Sequence, residues 1–133
     1  MKALILLFAF AAVIFLVIDL IWLAGIARGL YLAEIGALLK KSPNLPVAAL
    51  FYVIYLAGLT FFVLLPAHEA GSVTRAALTG AAFGLVAYAT YDLTNLATLE
   101  GFTARIAMID MAWGAFVTGL SSAGAVALAG RFA

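Results

Sequence analysis

Asp19, Asp92 and Asp110 each interrupt a stretch of residues apolar enough for a lipid bilayer. A carboxylate near the centre of a membrane helix costs roughly 2.5 to 3.5 kcal/mol on insertion scales, so three of them need partners or a purpose. Aromatic and amide side chains recur beside them at helical spacing. Trp22 follows Asp19 by three positions and Trp113 follows Asp110 by three, while Tyr88, Tyr91, Asp92 and Asn95 fall at i, i+3, i+4 and i+7. That spacing stacks all four on one helix face over two turns. Tyr52 and Tyr55 share a face in another apolar run. In a low dielectric, carboxyls favour their neutral form and serve as proton donors or switchable bases. Aromatic walls suit an elongated apolar or cationic ligand. On this reading Asp92 is the central acid or base, Asn95 its orienting amide, and Asp19 and Asp110 flanking acids. Tyr52, Tyr55, Tyr88, Tyr91, Trp22 and Trp113 supply donors and pocket walls. The competing structural reading has Tyr and Trp forming an interfacial belt and Asp and Asn bonding neighbouring helices as glue. Tyr31 is expected in the belt.

The elements that must position these residues follow from composition. Of 133 residues, 68% are hydrophobic and 10% charged, and the mean hydropathy is +1.23, which excludes a soluble domain. Four apolar segments, about 3–26, 47–65, 76–99 and 106–130, each approach the roughly 20 residues needed to cross a hydrocarbon core. The expected fold is an all-α integral membrane protein of one domain, 1–133, with four transmembrane helices in an up-down-up-down bundle. The first run is longer than a signal-peptide core and ends in Asp19-Leu-Ile-Trp22, without a small-residue cleavage site, so it reads as a retained helix.

In the first connection, Tyr31, Ile35, Leu38 and Leu39 recur at helical spacing and stop at Lys40-Lys41-Ser42-Pro43, which predicts a short interfacial helix between helices one and two. Pro46 suits the first turn of helix two. Pro66 is expected to end that helix, Gly71-Ser72 to turn the chain into helix three, and Gly101 to separate helices three and four. Gly80 and Gly84 continue the Asp92 face, and small residues four apart let a neighbouring helix approach closely. Asp92 is therefore expected inside.

Depth and direction bring the polar residues together. In an up-down-up-down bundle the end of helix one, the start of helix two, the end of helix three and the start of helix four share one side. At 1.5 Å per residue the three aspartates then lie roughly 6 to 11 Å below one interface. Arg28 and Arg105 lie near that interface and can snorkel towards Asp19 and Asp110. The opposite half, including Leu4–Val17 and Val117–Leu128, has no charged residue and reads as plain packing.

Other chemistries are excluded or weak. There is no cysteine, hence no disulfide, thiolate nucleophile or cysteine metal site, and the single His68 makes no metal site and reads as a solvated connection residue. No acidic pair within one short motif grips a metal, so none is assigned; the cofactor is unknown. Seven Lys and Arg give a net charge of +1 and divide four to three between the two sides, which leaves orientation open. No basic cluster with interleaved aromatics points to nucleic acid.

The strings Asp19-Leu-Ile-Trp22, Phe51-Tyr-Val-Ile-Tyr55-Leu-Ala-Gly58, Tyr88-Ala-Thr-Tyr91-Asp-Leu-Thr-Asn95-Leu-Ala-Thr98 and Asp110-Met-Ala-Trp-Gly114 resemble those of the bacterial inner-membrane family catalogued as domain of unknown function 2177. The resemblance runs over nearly the whole chain. It implies a four-helix protein of the bacterial inner membrane and brings no activity, cofactor or catalytic role. The function expected from the residues is a site in one leaflet that binds or modifies a hydrophobic small molecule or lipid. Two alternatives stand beside it: transport of protons or small cations by a homo-oligomer, and an accessory or assembly subunit that packs against a membrane partner through Gly80/Gly84 or Gly114, Thr118, Ser121 and Ser122.

Overall fold

The computed structural model describes residues 1–39 and 43–132, and all of their regular structure is helical. Backbone groups in hydrocarbon find no water, so long apolar runs bond internally as helices. Helix α1 covers Lys2–Ile21 and continues through a π turn at Trp22–Ile26. A short helix α2, Arg28–Ile35, follows, with a 3-10 turn at Gly36–Leu38. Helix α3 runs over Leu45–Glu69, α4 over Val73–Thr98 and α5 over Ala104–Phe132.

Local chemistry sets the ends. The Asn44 carboxamide accepts from the Val47 amide at 3.2 Å, with Pro46 in the first turn of α3, and the Ser72 hydroxyl accepts from the Arg75 amide at 3.0 Å to cap α4. The turns between α3 and α4 and between α4 and α5 use Gly71 and Gly101 at φ +64° and +84°, a region open to glycine without strain.

Three helices are long and apolar enough to cross a membrane: Lys2–Ile26, Leu45–Glu69 and Ala104–Phe132. At 26 residues α4 is long enough, but its Thr, Gly and Tyr residues with Arg75 and Asp92 make it less apolar. The expectation that Pro66 ends the second helix is corrected. The helix passes through Pro66 to Glu69, because a π turn at Thr60–Leu64 shifts the bonding pattern just ahead of the proline, whose nitrogen has no hydrogen to donate. His68 consequently lies in the last helical turn and is half-buried. The expected helix between the first two spans is present as α2, whereas its Lys40-Lys41-Ser42 stop lies outside the described residues.

The most extensive packing joins α4 to α5. Ala76, Gly80, Gly84 and Asp92 are buried along one face of α4, against Gly114, Thr118 and Ser122 of α5. A β-carbon at Gly84 would run into the Gly114 carbonyl and the Thr118 side chain. The backbones therefore meet where the sequence supplies no side chain. The apolar core is built on Leu7, Leu59, Leu64, Val126 and Ala129 and extends through Phe15 and Tyr55 to Tyr52, Tyr88 and Trp113, which pack on it beside the acids.

Candidate functional site

Each acid arrives at the site by a regular helical register. On α1 the buried face is Leu7, Ala11, Phe15 and Asp19, four residues apart, so Asp19 is the polar last step of an apolar stripe. On α4 the step after Gly80, Gly84 and Tyr88 is Asp92. On α5, Asp110 and Gly114 stand one turn apart, and Trp113 lies between them. Helix α2 is held to the start of α5 by a small cluster of Ile35, Phe102, Ile106 and Ala107, with Leu30 and Tyr31 packed on it. Glu34 reinforces this contact, accepting from the Thr103 hydroxyl at 3.2 Å with Arg105 at 4.0 Å.

Two of the three acids are provided with donors. Tyr52 donates to Asp19 at 2.9 Å and the Trp113 indole to its other oxygen at 3.0 Å. Tyr31 donates to Asp110 at 2.7 Å and itself accepts from the Trp22 indole at 3.1 Å. The two indoles stack, with centroids 4.3 Å apart and planes 8° from parallel. The stack thus ties the Asp19 arrangement to the Asp110 arrangement. Burial, and then the bond to Asp110, push the Tyr31 phenol up from its ordinary value, so it remains a donor past the usual tyrosine range.

Asp92 differs. It has no exposed surface, no N–H or hydroxyl among the described residues reaches either carboxyl oxygen, and its close polar neighbour is the Asp110 carboxyl. It lies on the wall of a cavity of about 980 Å³ shared with Asp19, Asp110, Trp22, Trp113, Tyr31, Tyr52, Tyr88 and Tyr91. The rest of the wall is largely apolar, with Leu32, Ile35 and Leu39 from the α2 region, Phe51 from α3 and Phe102 before α5, and it includes the exposed Arg28.

The family model described as a predicted membrane protein (DUF2177) matches residues 4–127, which include every group named in this cavity. The chain belongs to that family. No curated protein and no solved structure matches it.

Within this family member, the structure brings Asp19, Asp92, Asp110, Trp22, Trp113, Tyr52, Tyr88 and Tyr91 to one cavity. Two residues expected there lie elsewhere. Tyr55 is buried and shares a hydrogen bond with Thr118, beyond the cavity wall. Asn95 is half-buried, and the orienting bond expected from it is corrected, since Asp92 has no partner. Tyr31, expected in the interfacial belt, is instead the link between Trp22 and Asp110. The only signal for it in the sequence was its apolar periodicity with Ile35. The arginine partners are corrected too: Arg105 lies by Glu34, Arg28 lines the cavity without an ion pair, and among the described residues no Lys or Arg pairs with Asp19, Asp92 or Asp110. Likewise, no group of three acids or histidines close enough to hold a metal occurs among the described residues.

Proposed function

We propose that this is a four-span membrane protein, a single bundle of α1, α3, α4 and α5, whose acidic and aromatic cavity binds a hydrophobic small molecule or lipid within one leaflet. The observation that carries the reading is Asp92: a carboxyl with no exposed surface and no donor, crowded by the Asp110 carboxyl, in the wall of a large cavity. Glue would have to be bonded across a helix interface. The acids at Asp19 and Asp110 meet that description, and Asp92 does not. Buried polar atoms are nearly always satisfied, so an acceptor pair that no protein donor reaches, in a residue lining a cavity, calls for an occupant.

The fourth span rests on how α4 treats its hydroxyls. Thr79, Thr90, Thr94 and Thr98 are exposed, and each donates to the carbonyl four residues earlier. A hydroxyl spent inside its own helix no longer presents a free donor to lipid. Leu78, Val86 and Leu93 share the exposed surface of this helix. The amphipathic α2 would then lie at the interface over the cavity, and the bacterial inner membrane is the setting that the family resemblance implies.

The two other readings lose their means. The glycine and serine stripes offered to an outside partner are spent on each other, α4 against α5. A relay for protons or cations would have to continue past Thr118, where the buried residues of α5 are small or apolar apart from Ser121 and Ser122.

The test is native mass spectrometry of the protein released from nanodiscs, wild type beside Asp92→Asn, with extraction of any retained molecule. Wild type is expected to carry a hydrophobe that the variant has lost. Equal retention by both proteins, or none by either, would remove Asp92 from binding.

A further inference from the structure

The balance of donors and acceptors around the cavity limits what can fill it. Four of its donors are already directed inward: Trp113 and Tyr52 to Asp19, Trp22 to Tyr31, and Tyr31 to Asp110. The Tyr88 and Tyr91 hydroxyls line it as well, but no N–H or hydroxyl reaches the two fully buried Asp92 oxygens, whose close neighbour is another acid, Asp110. Leaving a buried acceptor without its donor costs about 1 to 3 kcal/mol, and more if it is charged. Charge is unbalanced in the same direction, because among the described residues three acids line the cavity against one cation, Arg28, which pairs with none of them. The faces of Tyr88 and Trp113 on the same wall attract positive charge electrostatically.

Resting on the binding reading above, the geometry points to a cationic amphiphile as the ligand class: a protonated primary amine whose N–H groups bond the Asp92 carboxyl, with an apolar chain running out past Leu32, Leu39 and Phe51. A primary ammonium carries three donors on one charge and fills both oxygens, which a quaternary ammonium, having no N–H, does not. The amine belongs either to a bilayer aminolipid or to a free alkylamine, and the chemistry at Asp92 is the same.

Trp22 and Trp113 are the only tryptophans and both line the cavity, so their emission reports its occupancy. The experiment titrates dodecylamine and dodecanol, matched in chain length, into wild type and Asp92→Asn in phosphatidylcholine nanodiscs, with empty discs as the partition control. Wild type is expected to bind the amine about tenfold to a hundredfold more tightly than the alcohol, the range a hydrogen bond to a charged group supplies, and Asp92→Asn to lose that preference. The comparison within wild type stands even if the variant does not fold. Equal affinity for amine and alcohol, or tighter binding of the alcohol, overturns the amine class and leaves the binding cavity in place. A saturable response to neither overturns both. Repeating the amine titration with phosphatidylethanolamine in the disc separates the sources: competition assigns the site to a membrane aminolipid, and an unchanged titration assigns it to a free amine.

Discussion

Gly84→Ala is expected to destabilise the protein by about 1 to 3 kcal/mol, the usual cost of overpacking a close contact, and Gly84→Val by more. The added β-carbon would meet the Gly114 carbonyl, which is backbone and cannot rotate away, and the Thr118 side chain, whose hydroxyl is engaged with Tyr55. Relief requires α4 and α5 to separate along the most extensive contact in the molecule. Separation would also move Asp92 on one helix from Asp110 and Trp113 on the other, so the cavity should fail with the interface. Thermal unfolding in a mild detergent, followed by loss of the monodisperse species, measures the effect. Gly130→Ala is the control: nothing lies within 4 Å of a β-carbon there, and the gain in helix propensity should leave stability equal or higher. Equal behaviour of the two variants would remove close helix approach from the account.

Isosteric amides at two of the acids are expected to act in opposite directions. Asp19→Asn should lower stability by about 1 to 3 kcal/mol, because Asp19 accepts from Tyr52 on one oxygen and from Trp113 on the other. An amide presents an acceptor on one side only, and its N–H₂ must then face one of the two donors. The Tyr52 hydroxyl can turn, but the indole N–H cannot. Asp92→Asn should leave stability within about 0.5 kcal/mol of wild type or raise it, since an amide there removes the crowding of two buried carboxyls and can itself donate to Asp110. A protein that gains stability when a buried group is made inert holds that group for something other than folding. Unfolding of both variants in ligand-free detergent gives the comparison. A loss at Asp92 as large as that at Asp19 would return Asp92 to a structural role.

Much of this arrangement was legible in the sequence because it rests on helical period and chain direction. The positions of Asp19, Asp92 and Asp110 near corresponding helix ends placed them together, and the Gly80/Gly84 spacing identified the buried face of α4. Tyr52 and Tyr55 show where such reasoning stops. They share a face of α3, yet three residues advance the helix by about 4.5 Å, which carries Tyr55 past the acids to Thr118. Asn95 shares the Asp92 face in the same way and lies off the cavity wall. Tyr31 was hidden for a different reason. An amphipathic turn of eight residues shows which side is apolar but not whether that side meets lipid or protein, and docking of Ile35 against Phe102 and Ile106 decides it. The continuation of α3 through Pro66 depended on a π turn, for which the sequence carries no period of its own.

Asp92 is buried without a donor from the protein because a ligand supplies one. The most direct measurement is an experimental structure of the protein crystallised from a lipid mesophase. Elongated non-protein density is expected in the cavity, entering past Leu39 and Phe51 and ending within hydrogen-bond distance of the Asp92 carboxyl. A cavity closed by repacking, with Asp92 bonded to Tyr88, Asn95 or a second copy of the chain, would contradict it.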